Sequence, residues 1–133
     1  YGEATVPKIT INLRKSYGGS HIVMGCKQLR SDLNFAWPSA EIAVMGASGA
    51  VAILCGKEAK KIKEEGGDVK AFLAEKEEDY TETFANPYQA AQYGYIDDVI
   101  EPRNTRFRIC RGLAQLATKR QNIPAKKHAC MPM

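Results

Sequence analysis

The sequence predicts an α/β fold with a mainly parallel sheet, crossover helices and a helical hairpin insert. First, Ile9, Ile11 and Leu13 alternate with polar residues, the period of two that is typical of a strand. Second, two glycines and then apolar residues at roughly helical spacing follow this strand. Third, the same order of strand, glycine-rich turn and apolar helix returns around residue 46. Because parallel strands require crossover connections, which are usually helices, this repeated unit favours a parallel sheet.

The first of these units is expected to contain a strand over Lys8–Leu13 and a helix that begins near Ser20. Gly18 and Gly19 supply the turn between them, and Ser20 is a residue type that suits a helix N-cap. The apolar run Ile22–Met24 is expected to anchor the new helix in the core.

The second unit is expected to contain a short buried strand over Glu41–Met45 and a helix that begins near Gly49. Gly46 and Gly49 permit the turn, and the apolar residues that follow suit a buried helix: Ala50, Val51, Ile53 and Leu54. In open α/β sheets, ligands usually bind at the carboxyl ends of the strands. Both glycine turns are therefore candidate binding positions.

The segment 57–84 is polar and charged, and its spacing predicts two amphipathic helices broken at Gly66–Gly67. This hairpin is expected to decorate the surface. Pro87 suits a first helical turn, Gly94 suits a helix end, and Tyr95–Ile100 is the next predicted strand.

A last helix is expected to be capped by Asn104 or Thr105. Its predicted apolar face consists of Phe107, Cys110, Leu113, Leu116 and Ala117. The residues 122–133 contain two prolines and no periodicity, so an extended tail is predicted there.

The composition is that of an ordinary folded domain, with 44% hydrophobic and 26% charged residues and a net charge of +4. The segment from Arg103 to Lys127 is basic and lacks acidic residues, but only Phe107 could act as an aromatic platform. A solvated or subunit-facing surface is therefore favoured over a nucleic-acid site. No apolar run approaches about 20 residues, so neither a membrane span nor secretion is expected. We expect a location in the cytoplasm or the mitochondrial matrix.

The four cysteines are widely separated, and no histidine lies at ligand spacing from them, so no metal site is predicted. Cys26, Cys55 and Cys110 lie in apolar runs, which predicts buried free thiols in a reducing compartment.

The side chains offer few candidates for catalysis. The sequence identifies no serine, cysteine or carboxylate as a catalytic partner of His21 or His128, so no triad is suggested. Asp97 and Asp98 are adjacent in a predicted strand and should point to opposite faces. The remaining candidates are the backbone N–H groups of residues 18–20 and 46–50, which could polarise a carbonyl oxygen. On these residues alone, a tight turn capped by Ser20 is favoured over an anion or oxyanion site.

Three stretches together resemble one family: VPKITINLRKSYGGSHIVMGCKQLRSDLNFAWPSAEIAVMGASGAVAIL, FANPYQAAQYGYIDDVIEP and KRQNIPAKKHACMPM. They resemble the carboxyl-terminal half of the carboxyltransferase (β) subunit of biotin-dependent acyl-CoA carboxylases, of the propionyl-CoA carboxylase type. Related subunits serve in decarboxylases for methylmalonyl-CoA and glutaconyl-CoA. The similarity covers nearly all of the chain and keeps the family's order.

The resemblance implies a crotonase-like fold, with residues 1–133 forming most of the second of two such domains. The acyl-CoA site would lie on the missing N-terminal carboxyltransferase domain, so we expect the isolated fragment to be inactive. Carboxybiotin would arrive on a separate carrier domain, charged by a biotin carboxylase subunit. The complete subunit would be a homo-oligomer, a hexamer in the full-length family.

The resemblance also implies site residues. The backbone amides of Gly19 and Ser20 would form an oxyanion hole for the ureido oxygen of biotin, while Gly18 and Ile22 would contact biotin or the acyl end. To these we add the second glycine turn with Gly46, Gly49 and Ala50. Serine stands where the family usually has alanine, and His21 stands where tyrosine is common. No side-chain base is implied, because the nitrogen of biotin itself is thought to take the proton in this family.

Other functions stay open. A decarboxylase subunit would run the transfer from a carboxyacyl-CoA to biotin, and the residues do not separate the two directions. A non-catalytic assembly domain would act through subunit contacts alone. A single-domain hydratase has the least support, since no catalytic glutamate pair is evident.

Overall fold

The computed structural model describes residues 1–122 and residue 125. Five strands and six α-helices occur within these residues, with short 3₁₀ turns at Lys27–Leu29 and Pro102–Asn104. In chain order they are β1 (Ile9–Asn12), β2 (Lys15–Tyr17), α1 (Gly18–Val23), β3 (Leu33–Ala36), β4 (Glu41–Ala43), α2 (Ala47–Leu54), α3 (Gly56–Glu64), α4 (Val69–Thr83), α5 (Pro87–Gln92), β5 (Asp98–Val99) and α6 (Thr105–Gln115). The tail expected over 122–133 lies outside the described residues, apart from positions 122 and 125.

The strands form two parallel sheets. One sheet has the order β1-β3-β5 and the other pairs β2 with β4. Every described strand pair is parallel, with Ile11 opposite Phe35 in the first sheet and Tyr17 opposite Ala43 in the second. The predicted α/β class with a mainly parallel sheet is therefore confirmed.

Two strands were not expected from the sequence. The strand that runs into the first glycine turn is β2, not the predicted strand Lys8–Leu13, which is present as the shorter β1. Three residues, Lys15, Ser16 and Tyr17, are too few to display a period of two. Strand β3 was missed because the buried Asn34 interrupts its apolar pattern. The predicted strand Tyr95–Ile100 contracts to the two residues of β5.

The core between the sheets and α5 is built from three alanines and two isoleucines. Its cluster consists of Ala36, Ala40, Ile42, Ala90 and Ile96, all of them at most 9% exposed. Helix α6 packs closely at Gly112 on the sheet formed by β1, β3 and β5. A Cβ atom added at Gly112 would lie 2.7 Å from Leu33 Cδ1 and 3.0 Å from Ile9 Cδ1.

Several expected core residues lie at the surface instead. Ile22, Val23 and Met24 are 50, 58 and 63% exposed, so they do not anchor α1 in the core. Helix α1 has only six residues, and none of them is buried. In α2 only Ala50 and Val51 are buried, and the side chains at the end of the helix, Ile53 and Leu54, are exposed.

The last helix departs from its prediction in the same way. It begins at Thr105 after Asn104, as expected, but Asn104 makes no side-chain capping bond. Phe107, Cys110 and Leu113 are exposed, because the face that packs on the sheet is the one that carries Gly112. Cys110 is thus not a buried thiol; Cys26 is buried and Cys55 is half-buried.

The predicted hairpin of two helices is present as α3 and α4. The Asp68 side chain caps α4 by accepting hydrogen bonds from Lys70 N at 2.9 Å and Ala71 N at 3.1 Å. Pro87 occupies the first turn of α5, and Gly94, with φ at +75°, follows the end of that helix as predicted.

Adjacent carboxylates hold different parts of the sheet. Asp97 accepts a hydrogen bond from Lys27 Nζ at 2.6 Å and another from the backbone N–H of Asn34 at 2.7 Å. Asp98 pairs instead with Arg108 of α6. The two aspartates thus have different structural partners, although both line one shallow pocket beside α6.

Candidate functional site

The two glycine turns lie side by side. Because β2 and β4 are parallel and in register, their carboxyl ends meet at one edge of the sheet. Helix α1 begins at Gly18, directly after β2, and α2 begins four residues after β4. The structure thus places both turns at the position that the repeated strand–glycine–helix pattern predicts.

Gly18 sits where only glycine fits. Its φ is +52°, and an added Cβ would lie 2.8 Å from the carbonyl oxygen of Val44. The close approach of the two chain segments therefore depends on the missing side chain. Gly19 differs, because an added Cβ there would meet nothing within 4 Å. The backbone at Gly19 is open to the space beside it.

That space is a groove of about 740 Å³. Helix α1, strand β4 and helices α4 and α5 all contribute to its walls. The lining residues are Gly18, Gly19, His21, Ile22, Gln28, Ile42, Ala43, Val44, Tyr80, Phe84, Gln89, Ala90, Tyr93 and Tyr95. Three of the candidate site residues from the sequence, Gly18, Gly19 and Ile22, therefore share one groove.

The other candidates are not among the residues that line the groove. Ser20 is exposed, and its hydroxyl donates to the carbonyl oxygen of Tyr17 at 2.6 Å. Ser20 is not the N-cap of α1: the helix begins two residues earlier, and Tyr17 is the capping residue. Ala50 is buried, and an added Cβ at Gly46 would lie 3.4 Å from the Tyr17 ring. Gly49 is exposed at the start of α2.

An aromatic wall completes the groove, and sequence reasoning missed it. Tyr80 comes from α4 and Phe84 follows that helix directly, with 5.4 Å between the ring centroids. Tyr93 and Tyr95 follow α5 and stack with 6.1 Å between their centroids. The helical hairpin is therefore more than surface decoration, since the end of α4 forms part of the site. The spacing of Tyr80 and Phe84, four residues apart on one helical face, was the available signal.

The groove is apolar and uncharged. None of the residues that line it carries a formal charge at pH 7, apart from any protonated fraction of His21. Burial lowers the pKa of His21 below its usual value of 6.5, which favours the neutral ring. His21 does have a serine partner, contrary to the sequence-based expectation: its Nδ1 lies 2.8 Å from Ser16 Oγ on β2.

A side-chain hydrogen bond also joins the paired strands β2 and β4. The Tyr17 hydroxyl donates a hydrogen bond to the Glu41 carboxylate. Burial, together with this bond and the charge of Glu41, raises the pKa of Tyr17 to about 12. Tyr17 therefore stays protonated throughout the physiological range.

The polar groups best placed at the start of α1 are backbone amides. The first four N–H groups of a helix have no intrahelical acceptor. Tyr17, the capping residue of α1, makes no side-chain capping bond to any of them. The amides of the first turn of α1, which include those of Gly19 and Ser20, therefore have no capping side chain as acceptor.

The part of the chain that the structure describes contains neither a metal-binding cluster nor a membrane-spanning helix. No group of three or more histidine, cysteine, aspartate or glutamate side chains there could hold a metal ion. Within the same residues, no helix combines the length and the apolar character needed to cross a bilayer.

These features define an α/β domain with an apolar groove at the carboxyl ends of parallel strands and without charged side chains in the groove lining. Comparison with known families makes the assignment specific. The carboxyl transferase domain matches residues 1–131, and the chain belongs to this family.

Individual relatives agree with this assignment. The chain is 50% identical over 133 residues to the propionyl-CoA carboxylase β chain of Saccharopolyspora erythraea. It is 52% identical over 132 residues to the methylmalonyl-CoA carboxyltransferase 12S subunit of Propionibacterium freudenreichii subsp. shermanii. It is also 50% identical over 133 residues to the methylmalonyl-CoA decarboxylase subunit alpha of Propionigenium modestum. The chain covers only 24, 24 and 25% of these three proteins.

Solved structures show the same fold. A transcarboxylase 12S structure, described as a hexamer with methylmalonyl-coenzyme A and methylmalonic acid bound, superposes with a TM-score of 0.86 at 51% identity. All of the present chain and 25% of that protein are covered. The β subunit of a geranyl-CoA carboxylase from P. aeruginosa superposes with a TM-score of 0.66 at 26% identity, over 89% of the present chain and 22% of its own.

Proposed function

We propose that this chain is the biotin-facing half of a site that transfers a carboxyl group between carboxybiotin and an acyl-CoA. The observation that carries the proposal is the open backbone at Gly19, next to an apolar groove at the carboxyl end of β2. The names of the relatives, which are carboxylases, a carboxyltransferase and a decarboxylase of acyl-CoA compounds, support the reaction class.

The groove fits the chemistry of biotin. Its volume of about 740 Å³ lies within the roughly 300–1,000 Å³ that small-molecule sites occupy. The bicyclic ring is apolar and its ureido group is neutral, so a wall of aromatic side chains without formal charges suits both. The ureido oxygen accepts hydrogen bonds, and the amides at the start of α1 donate them.

When bound, carboxybiotin supplies the carboxyl group, and a separate carrier protein delivers it. The N–H groups of Gly19 and Ser20 would hold the ureido oxygen by hydrogen bonds and would favour negative charge on that oxygen. A single donor of this kind contributes a factor of about 10²–10³ to the rate in other enzymes.

The second substrate requires the remainder of the protein. The chain spans about a quarter of the length of its relatives, so we infer that a separate N-terminal carboxyltransferase domain binds the acyl-CoA. Ile22, which is half exposed on the groove, would then face the acyl end of the joint site. Biotin carrier and biotin carboxylase subunits are the further partners, in a homo-oligomeric assembly.

The proposal is tested in the complete subunit that contains this chain, supplied with a biotinylated carrier. Gly19→Val and Gly56→Val form a matched pair, since an added Cβ meets nothing within 4 Å at either glycine and neither has positive φ. Gly56 lies at the start of α3, outside the groove lining. We expect Gly19→Val to reduce transfer of labelled carboxyl groups to propionyl-CoA at least 100-fold and Gly56→Val to leave it within about threefold, on the scale of one oxyanion donor.

Equal rates for the two folded variants would contradict a backbone site at Gly19.

The decarboxylase direction has one specific support, the relative that is a methylmalonyl-CoA decarboxylase subunit. The assay for this direction uses the same preparation and measures the transfer of carboxyl groups from methylmalonyl-CoA to the biotinylated carrier. A subunit that transfers in neither direction while it binds its partners would favour the assembly role.

A further inference from the structure

One polar side chain in the groove has no part in the backbone site, and it is held from behind. The Nδ1 atom of His21 lies 2.8 Å from Ser16 Oγ. His21 lines the groove, whereas Ser16 does not. The Nδ1 edge of the ring therefore faces β2, and Nε2 makes no hydrogen bond with the residues that the structure describes.

The remaining neighbours do not compete for this histidine. The other polar side chains in the groove lining are Tyr80 from α4, Tyr93 and Tyr95 after α5, and the uncharged Gln28 and Gln89. No carboxylate, lysine or arginine is among the described residues that line the groove. A neutral imidazole carries one donor and one acceptor nitrogen. If the Ser16 hydroxyl donates to Nδ1, the ring proton lies on Nε2.

We propose that His21 binds the group carried in this groove by donating a hydrogen bond from Nε2–H to an acceptor oxygen, and that Ser16 is a positioning residue that fixes this tautomer. The inference rests on the proposed function, which makes the acceptor an oxygen of the biotin ureido or its carboxyl group. His21 begins the second half of α1, one residue beyond the amide donors at Gly19 and Ser20. Side-chain and backbone donors would thus act on the same ligand from one helical turn.

The test measures the affinity of biotin itself for the complete subunit, by equilibrium dialysis at pH 7.5. His21→Phe keeps a ring and removes the donor, and we expect it to weaken biotin binding about tenfold, the scale of one hydrogen bond. His21→Gln retains an N–H donor at a similar reach, and we expect affinity within about threefold of the wild type.

Ser16 is tested by a rescue and by spectroscopy. Ser16→Ala should weaken biotin binding about threefold, and Ser16→Thr, which restores a hydroxyl, should recover it. In the subunit with isotope-labelled histidine, the ring nitrogen shifts of His21 should report a proton on Nε2 in the wild type and a mixture of tautomers in Ser16→Ala. A purely structural role for the pair would not move the tautomer signature in step with affinity.

The outcomes separate this inference from the proposed function. Wild-type affinity in folded His21→Phe overturns the inference alone. A large loss of turnover with unchanged biotin affinity also overturns it, because His21 would then act as a base rather than as a binding donor. If the wild-type subunit itself binds no biotin, both the inference and the proposed function fall. Should His21→Phe not fold, unchanged affinity and an unchanged tautomer in Ser16→Ala would overturn the inference instead.

Discussion

Ser20 offers the sharpest separation between a backbone site and an ordinary turn. It is the third residue of α1, its amide belongs to the first helical turn, and its hydroxyl makes one exposed hydrogen bond, to the Tyr17 carbonyl at 2.6 Å. Ser20→Ala removes only that exposed bond, whereas Ser20→Pro removes the amide donor. Proline is tolerated in a first helical turn because the lost N–H has no intrahelical acceptor there.

The magnitudes follow from these two losses. In the complete subunit we expect Ser20→Ala to keep carboxyl transfer within about tenfold, a barrier change of about 1.4 kcal/mol or less. Ser20→Pro should slow transfer by a factor of about 10²–10³, or roughly 3–4 kcal/mol, the contribution of one oxyanion donor. Both variants should stay folded, since the hydroxyl bond is exposed and contributes about 1 kcal/mol or less to stability.

The assay combines transfer of labelled carboxyl groups from the carrier to propionyl-CoA with a thermal melt of each variant. Because the melt reports the folded fraction, the transfer rate can be expressed per folded molecule. A Ser20→Pro subunit that folds and transfers at the wild-type rate would refute the assignment of this amide. Equal losses in the proline and alanine variants would point to the side chain instead.

Two further predictions concern the fold. Gly112→Ala should lower the free energy of unfolding by about 0.5–2 kcal/mol in chemical denaturation, because the added methyl group would meet Leu33 Cδ1 at 2.7 Å and Ile9 Cδ1 at 3.0 Å, while the better helix propensity of alanine offsets about 1 kcal/mol of that cost; an unchanged or higher midpoint would mean that these side chains give way. The pKa of Tyr17, raised to about 12 by burial and by Glu41, predicts stabilisation that is complete below pH 10 and lost as the pH rises from 10 to 12. Ultraviolet absorption of tyrosinate measures this raised pKa directly. The control is Tyr17→Phe, which should lack the increase in absorption near pH 12.

The sequence alone determined the local units and their class. The alternation in Ile9–Asn12 and the glycine turns at 18 and 46 are short-range signals, and a parallel α/β fold follows from their repetition. The helical hairpin and the boundaries at Pro87 and Gly94 were also readable, because capping and turn chemistry act within a few residues. The glycine pair at 18 and 19 was likewise identifiable as a candidate site from residue types and their order.

Only the tertiary structure decided which elements meet at that site. Strand β2 is too short to carry a sequence pattern. Its role depends on its pairing with β4, in which Tyr17 lies opposite Ala43, 26 residues further along the chain. Tyr80 reaches the groove because α4 packs back on α2, and the Ser16–His21 contact forms because α1 turns back over β2. Burial depends on such distant neighbours as much as on residue type, which is why an apolar run such as Ile22–Met24 can lie exposed beside a groove instead of in the core.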